Sequence, residues 1–248
     1  MLTFNELGKY GRLGNQMFQI ASTIGIAKML GYDFGFPEWI YHDHKNRFGS
    51  EEDINIQDYF VNKLPAAGET LTDLYMQWGF HGFAGIEDRT NLSGHMQSEK
   101  YFKHCEDTIR HYFEFKDKSI EIPDNSIAIH VRRGDYDDNY HPTMKADYYE
   151  KAMQFMPACC PIYVFSDDPE QAIKMLGDSY KYVTGNHYIK DLQLMTQCKH
   201  FILSNSTFCW WGWWLSGKQG QVVAPKNWFG RIAGITAEDI YTPEMIII

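Results

Sequence analysis

The part of the chain after residue 125 alternates between short apolar runs and longer amphipathic stretches. We predict strands at residues 126–131, 162–165, 181–183, 201–203 and 221–224, and helices at 145–156, 169–176, 190–198 and from about residue 208 onward. Strands that alternate strictly with helices over short connections form a parallel sheet covered by helices on both faces. The pattern therefore restricts this half of the chain to an α/β fold.

The first half begins with a strand, a glycine-rich turn and a helix. The turn runs from Gly8 to Gln16, and the predicted helix continues to about Leu30. Backbone N–H groups at the start of a helix can bind an anion, and glycines let a ligand approach the backbone. The spacing matches neither a dinucleotide fingerprint nor a Walker loop. We also predict a strand at residues 34–36 and a loop entering a helix at residues 92–102, with Ser98 as its N-cap.

Pro123, Asp124 and Asn125 mark the predicted boundary between the halves. A chain of 248 residues is long enough for two compact units of about 100–150 residues each. We therefore predict an N-terminal domain at residues 1–122 and a C-terminal, Rossmann-like domain at residues 123–248.

Charge and hydropathy argue against several classes of partner. The net charge of −9 and the pI of about 5.5 argue against binding to nucleic acid or to an anionic membrane. No apolar run reaches the ~20 residues that span a bilayer, and the first residues lack the features of a signal peptide. We therefore expect a cytoplasmic protein without a transmembrane segment, and the oligomeric state stays open. The five cysteines show neither a paired framework nor metal-ligand spacing, which predicts buried thiols.

Three predicted strands of the second half end in polar clusters, at residues 130–135, 166–168 and 204–207. Because the carboxyl ends of parallel strands meet at one edge of a sheet, we expect these clusters to face one crevice. The guanidinium forks of Arg132 and Arg133 suit the oxygen atoms of a phosphate. For each cluster taken alone, solvated charges or a helix N-cap are the alternative explanation.

A run of aromatic residues follows the last cluster. Residues 208–215 include Trp210, Trp211, Trp213 and Trp214, which would cover every face of a helix. We interpret them mostly as packing residues rather than as a surface that stacks against sugars.

Six motifs, in the same order along the chain, resemble those of family 11 of the glycosyltransferases, the α-1,2-fucosyltransferases. They are GRLGNQMFQ at 11–19, QSEKYF at 97–102, HVRRGDY at 130–136, VFSDD at 164–168, DLQLMTQCKHFILSNSTFCWWGWWLS at 191–216 and APKNWF at 224–229. The motifs span most of the chain, whereas residues 38–92 carry no recognisable match.

The resemblance implies a GT-B-like α/β architecture in which two Rossmann-like halves face a donor and acceptor cleft. The activity that it implies is the inverting transfer of L-fucose from GDP-β-L-fucose to the 2-hydroxyl of a terminal β-galactoside on an acceptor glycan. No cofactor and no bound metal are implied.

Carried over by this resemblance, Arg132 neutralises the β-phosphate of the donor, and His130 contacts its guanosine side. Asp168 binds the guanine, with Asp167 as the weaker candidate. The phosphate site is completed by Ser206 and Thr207, which follow the predicted strand at residues 201–203.

The glycine-rich turn departs from the family pattern at Arg12, where the family more often has a second glycine. Residues 11–16 are similar instead to the Gly-Arg-Phe-Gly-Asn-Gln of the protein O-fucosyltransferases. That similarity implies that Arg12, Gly14 and Asn15 bind the donor from the N-terminal domain, and it leaves the acceptor open.

An inverting transferase also needs the acceptor hydroxyl to lose its proton. Asp135, His95 and Glu99 are the candidate bases, and a loose transition state that needs no base is a further alternative. We group Asp135 with Arg132 as catalytic candidates and expect His95 and Glu99 on the acceptor side.

Two other functions compete with this one. A metal-dependent glycosyltransferase would use Asp135 and Asp137 to bind Mn²⁺ or Mg²⁺, although two arginines just upstream make a metal redundant. A catalytically silent protein that binds nucleotide sugars or glycans would keep the same residues without transfer. Activity that survives EDTA would exclude the first, and GDP binding without transfer would favour the second.

Overall fold

The computed structural model describes residues 1–41, 54–134, 136 and 139–248 and divides into two compact units. The first unit contains Met1–Lys118 and Glu238–Ile240, and the second contains Ser119–Ala237 and Tyr241–Ile248. The division falls shortly before residues 123–125, and one short segment near the C-terminus belongs to the first unit.

The first unit contains a parallel, four-stranded sheet. Its helices and strands in chain order are β1 (Leu2–Thr3), α1 (Leu13–Leu30), β2 (Phe34–Gly35), β3 (Ile40–Tyr41), β4 (Ile54–Asn55), β5 (Thr72–Met76), β6 (Thr90–Gly94) and α2 (Glu106–Tyr112). The sheet order is β2-β1-β6-β5, and all its pairings are parallel. Strands β3 and β4 form a separate antiparallel pair. Short 3-10 helices lie at Ile56–Tyr59, Glu99–Tyr101 and Lys103–Cys105.

Helix α1, which follows the glycine-rich turn, is buried over most of its length. All its residues from Leu13 to Ala27 are buried except Asn15. Gly25 allows a close contact with the turn at Tyr101, because a Cβ at this position would lie 2.1 Å from the carbonyl oxygen of Tyr101. The helix ends at Gly31, which adopts a left-handed conformation with φ of 73°. The predicted helix and the strand that follows it are confirmed.

The second unit contains a parallel, six-stranded sheet with alternating strands and helices. Its elements are β7 (Ile127–Val131), α3 (Ala146–Met153), β8 (Ile162–Ser166), α4 (Pro169–Leu176), β9 (Lys181–Val183), α5 (Tyr188–Met195), β10 (His200–Ile202), α6 (Thr207–Leu215), β11 (Val222–Ala224) and β12 (Met245–Ile247). The order is β12-β11-β10-β7-β8-β9, and every pairing is parallel. The α/β prediction is confirmed, and of these elements β12 alone was not predicted.

The tryptophans of α6 form part of the core. Trp210, Trp211, Trp213 and Trp214 are each at most 1% exposed. Gly212 lets α5 and α6 approach, because a Cβ there would lie 2.4 Å from the sulfur atom of Met195. The prediction that these tryptophans serve packing is confirmed.

The five cysteines are free thiols, but only two of them are buried. Burial raises the pKa of Cys198 and Cys209 to about 12. The prediction of buried thiols is wrong for Cys159, which is exposed, and for Cys105 and Cys160, which are half-buried. Among the described residues, no helix combines the length and apolar character that crossing a bilayer requires.

Candidate functional site

The three polar clusters that follow predicted strands belong to neighbouring strands of the second unit. Strands β10, β7 and β8 are adjacent and parallel, so that Ile202 lies opposite Ile129, and Val131 opposite Ser166. Their carboxyl ends therefore lie side by side at one edge of the sheet, as predicted, and the crevice that we expect there stays a prediction. We refer to residues 130–134, 166–168 and 204–207 together as the edge site.

The guanidinium of Arg132 is held on two sides within the edge site. Its Nη1 atom lies 2.9 Å from Oδ2 of Asp167, and the two side chains are 12% and 16% exposed. Its central carbon lies 5.1 Å from the centre of the Tyr136 ring, within the range of a cation–π contact. Arg132 therefore supplies a positive charge whose position is set by two neighbours.

Arg133 braces the turn that follows β7. Its backbone N–H donates to Oδ1 of Asp167 at 2.8 Å. Its Nη2 donates to the carbonyl of Met144 at 2.9 Å and also contacts the sulfur of Met175. The two adjacent arginines thus have different environments, although the sequence presents them as a pair.

His130 is a neutral, buried residue at the end of β7. It is 5% exposed, and its Nδ1 lies 2.7 Å from the hydroxyl oxygen of Ser204. Its ring also packs against Phe208, with the centroids 5.7 Å apart. Burial, reinforced by the charge of Arg132, lowers the pKa of His130 to about 3. At neutral pH this histidine contributes a hydrogen-bonding ring and no charge.

The loop between β10 and α6 is fixed by its asparagine. Nδ2 of Asn205 donates to the carbonyls of Pro142 and Trp228, both at 3.0 Å. The backbone oxygen of Asn205 accepts the hydroxyl of Tyr136 at 2.7 Å. These contacts tie the loop after β10 to the segment that follows Arg132. Tyr136 and Asn205 lie within the quoted motifs, although no role was predicted for either residue.

Ser206 and Thr207 stand at the start of α6. Ser206 is the N-cap residue, and its side chain makes no capping hydrogen bond to the helix. Ser206 is 7% exposed, whereas Thr207 is half-buried. The amino terminus of α6 therefore opens beside two hydroxyl side chains, an arrangement that suits an anion.

Asp168 caps a helix, which was the alternative explanation for its cluster. Its Oδ1 accepts the backbone N–H of Gln171 at 3.0 Å, and its Oδ2 accepts Nε2 of the same residue at 2.5 Å. Asp168 is thereby engaged with α4, whereas the carboxylate of Asp167 contacts Arg132 and Arg133. Asp135, the other acidic candidate of this region, lies outside the described residues.

The glycine-rich turn of the first unit is held by the glutamines of α1. Nε2 of Gln16 donates to the carbonyl of Gly11 at 3.0 Å, and Oε1 of Gln16 accepts Nε1–H of Trp39 at 2.7 Å. Gln19 donates from its Nε2 to the carbonyl of Tyr10 at 3.3 Å. These bonds give the turn a defined shape around the start of α1.

The three predicted donor residues of the first unit lie where this turn enters α1. Arg12 is the N-cap residue of α1 and makes no side-chain capping bond, and Gly14 is buried in the first turn. Oδ1 of Asn15 accepts Nε2 of Gln97 at 2.9 Å. This bond connects the GNQ segment to the QSEKYF segment.

His95 and Glu99, the acceptor-side candidates, flank Gln97. Burial lowers the pKa of His95, whose Nδ1 is buried and has no hydrogen-bond partner among the described residues. Glu99 is 4% exposed, and its Oε1 lies 3.1 Å from Nζ of Lys103. Ser98, which lies between them in the chain, caps the 3-10 helix Glu99–Tyr101 by accepting the N–H of Lys100, so its predicted capping role is confirmed.

The described residues contain no group of three His, Cys, Asp or Glu side chains arranged to hold a metal ion. Asp135 and Asp137, on which the metal-dependent alternative depends, lie outside that part of the chain.

Known proteins similar to this chain transfer sugars. The O-antigen biosynthesis glycosyltransferase WbnK of Escherichia coli is 36% identical over 119 residues, which cover 42% of this chain and 39% of that protein. An alpha-1,2-colitosyltransferase of Escherichia coli is 30% identical over 161 residues, covering 56% of each chain. The chain thus spans less than two thirds of the length of these two relatives. Galactoside alpha-(1,2)-fucosyltransferase 2 of Bos taurus is 27% identical over 261 residues, covering 92% of this chain and 72% of that protein.

Among solved structures, the R284K mutant of Arabidopsis thaliana FUT1 in complex with GDP matches 90% of this chain and 69% of that chain. Its TM-score is 0.48 and its sequence identity is 12%. The sequence model for glycosyl transferase family 11 matches residues 3–248, which is nearly the whole chain. The resemblance carried by the six motifs is therefore confirmed, and the chain belongs to glycosyl transferase family 11.

Proposed function

We propose that this protein transfers L-fucose from GDP-β-L-fucose to the 2-hydroxyl of a terminal β-galactoside, with inversion at the anomeric carbon and without a bound metal ion. The proposal combines membership of glycosyl transferase family 11 with the edge site, where Arg132 and the start of α6 occupy neighbouring strand ends. The observation that carries it is this pairing of a fixed guanidinium with a helix amino terminus. Both groups favour a diphosphate.

The reaction creates charge that the edge site is suited to stabilise. Breaking the bond between C1 of fucose and the β-phosphate leaves positive charge on the sugar and negative charge on GDP. A guanidinium already held in place stabilises that negative charge without reorganisation during the reaction. We assign this role to Arg132, with the hydroxyls of Ser206 and Thr207 and the N–H groups of α6 as further phosphate contacts.

The remaining donor contacts follow from the same assignment. We assign the guanosine side to His130 and Asp168. Because His130 is neutral, it can offer hydrogen bonds without adding charge. Arg12, Gly14 and Asn15 are proposed as donor contacts of the first unit.

The acceptor hydroxyl must lose a proton as it attacks. His95 is neutral at pH 7, because burial lowers its pKa, and an uncharged imidazole has the protonation state of a general base. The carboxylate of Glu99 is engaged by Lys103. We therefore place His95 ahead of Glu99 as the acceptor-side base, with Asp135 as the third candidate. The cytoplasmic location remains a prediction.

Product analysis tests the reaction. The protein is incubated with GDP-β-L-fucose and a panel of galactosides, and NMR of the product identifies the linkage and the anomeric configuration. We expect an α-1,2-linked fucosyl galactoside, formed equally well with and without EDTA. Transfer only from a colitosyl donor would replace the proposed donor. GDP binding without any transfer would favour the silent binding protein, and activity lost in EDTA and restored by Mn²⁺ would favour the metal-dependent alternative.

Substitution of Arg132 tests the role assigned to the edge site. We expect Arg132→Ala to raise the barrier by about 3–5 kcal/mol, or roughly 10²–10³-fold or more in rate, because the leaving diphosphate loses its charge partner. Turnover is measured by GDP release. Arg231→Ala, which removes an exposed arginine of the same unit, is the matched control and should retain parent activity. Near-parent turnover of Arg132→Ala would contradict the assignment.

A further inference from the structure

The carboxylate of Asp167 serves both arginines of the turn after β7. Its Oδ2 lies 2.9 Å from Nη1 of Arg132, and its Oδ1 accepts the backbone N–H of Arg133 at 2.8 Å. One side chain from the end of β8 therefore fixes both the guanidinium of Arg132 and the backbone that carries it. Its neighbour Asp168 instead uses both carboxylate oxygens to accept hydrogen bonds from Gln171, a residue of α4.

Gly134 leaves room for this arrangement. A Cβ at residue 134 would lie 2.2 Å from Oδ2 of Asp167, the atom that pairs with Arg132. Gly134 is not among the residues with positive φ, so its backbone does not require glycine. A side chain at residue 134 would instead occupy the space that the Asp167 carboxylate now fills.

We propose that Asp167 is a positioning residue for Arg132, and that it holds the guanidinium in the orientation that receives the donor diphosphate. This inference rests on the proposed function, because it assigns Arg132 to the diphosphate. An arginine side chain has many rotamers, and ordering it costs conformational entropy. Asp167 and the Tyr136 ring fix one orientation before the donor binds, so less of that cost falls on binding.

Asp167 also carries a negative charge next to the proposed diphosphate position, and this charge opposes binding. The geometry decides which effect is larger. The paired side chains are only 12% and 16% exposed, so removing the carboxylate would leave a largely buried guanidinium without its partner, which is unfavourable. We expect the arginine then to leave this orientation. We therefore expect the loss of positioning to outweigh the relief of repulsion.

A double-mutant cycle measures this coupling. GDP binding is titrated calorimetrically for the parent, Asp167→Asn, Arg132→Ala and the double variant. The asparagine keeps an oxygen that can accept the N–H of Arg133. We expect Asp167→Asn to weaken GDP binding about tenfold when Arg132 is present and less than twofold in the Arg132→Ala background. An equal loss in both backgrounds, or no loss in either, would overturn the positioning role.

Base selectivity separates positioning from direct contact with the guanine. IDP lacks the 2-amino group of GDP, so the ratio of the two dissociation constants reports on a carboxylate that binds the base. We expect Asp167→Asn to leave this ratio within twofold of the parent value. A ratio that collapses towards one would show that Asp167 binds guanine, and the inference would be wrong.

Gly134→Ala tests the positioning role in a second way, because it keeps the charges of both Arg132 and Asp167. The added methyl group should displace the Asp167 carboxylate and weaken GDP binding to a similar extent as Asp167→Asn. In an Asp167→Ala background the same change should have less than a twofold effect, because the obstructing carboxylate is gone. A loss that persists there would count against the inference.

GDP and IDP binding by the parent protein distinguishes a failure of the proposed function from a failure of the positioning role of Asp167. If it binds neither GDP nor IDP, the proposed function fails, and the role of Asp167 towards a diphosphate fails with it. If the parent binds GDP but the cycle is additive, only the positioning role is overturned. Thermal unfolding of each variant identifies any loss of folded protein before the titrations are compared.

Discussion

His130 shows how strongly the surroundings of a residue decide its chemistry. In the sequence it stands in a run that also contains Arg132 and Arg133, and the family resemblance predicts that it contacts the guanosine side of the donor. In the structure it is enclosed, it pairs with Ser204, and burial lowers its pKa to about 3. Its contribution to the site is therefore an oriented, uncharged ring.

This depressed pKa predicts a specific loss of stability in acid. In the unfolded chain the histidine titrates near 6.5, whereas in the folded chain it titrates near 3. Below pH 6.5 the unfolded state binds more protons than the folded state. The free energy of unfolding therefore decreases as the pH is lowered from 6.5 to about 3, and the loss at pH 4 is about 3 kcal/mol. His130→Asn should be less stable than the parent at pH 7, but the gap should narrow steadily towards pH 4. Urea unfolding at several pH values measures the gap, and parallel curves for the two proteins would contradict the pKa assignment.

The sequence predicted the location of individual residues better than their contacts. Arg132, Ser206 and Thr207 were assigned to one site because strand ends of a parallel sheet converge and because the motifs match a known family, and the structure places them at neighbouring strand ends. Their roles toward a donor stay predictions. The roles of Tyr136 and Asn205 were missed because they depend on a long-range hydrogen bond between two loops. Spacing along the chain carries no information about such a bond. The sequence likewise could not show that Asp167 contacts the two arginines whereas Asp168 caps α4, because these contacts also depend on the folded structure.

At the scale of elements, the glycine-rich turn depends on the helix that follows it. Gln16 is fully buried and joins two partners, the carbonyl of Gly11 and the indole of Trp39. Glycines make the turn possible, but this amide fixes its shape. The Asn-Gln pair of the motif thus has a structural member, Gln16, beside a proposed donor contact, Asn15.

Removing this amide should destabilise the first unit. Gln16→Ala leaves a buried indole N–H and a carbonyl without their partner and opens a cavity, so we expect a loss of about 2–4 kcal/mol in the free energy of unfolding. Urea denaturation measures this loss. Met29→Ala, which changes a 47% exposed residue of the same helix, is the control and should cost much less. Equal losses for the two variants would show that the Gln16 bonds contribute little.

The elements of the second unit were easier to predict than those of the first. Strand β7, for example, is buried along its whole length, and four of its five residues are apolar. In the first unit, β3 and β4 have two residues each, and β6 reads Thr-Asn-Leu-Ser-Gly. Such segments lack the length or the apolar pattern of a predicted strand. Strand β12 was missed because no α-helix separates it from β11.

At the scale of the whole molecule, the chain does not divide at a single point. The segment Glu238–Ile240 belongs to the first unit, although residues before and after it belong to the second. Asp239 anchors the segment, since it pairs with Lys100 at 2.5 Å and accepts the N–H of Phe80 at 2.8 Å. Partial burial raises the pKa of Asp239, but these two bonds outweigh burial and hold the pKa below its ordinary value. No pattern in the sequence indicates that these three residues pack with the first unit, from which they are far removed in the chain.

Asp239→Ala should therefore loosen the first unit from a position near the C-terminus. The change removes a charge-assisted pair and a backbone hydrogen bond, and we expect a loss of about 1–2 kcal/mol in the free energy of unfolding. Hydrogen exchange should become faster at Phe80 and in the segment around Lys100, while β7 and β8 keep parent protection. Glu238→Gln, which neutralises the exposed neighbouring acid, is the matched control and should leave both regions unchanged. Faster exchange confined to the second unit would contradict the assignment of this segment, because the contacts of Asp239 that the structure shows all lie within the first unit.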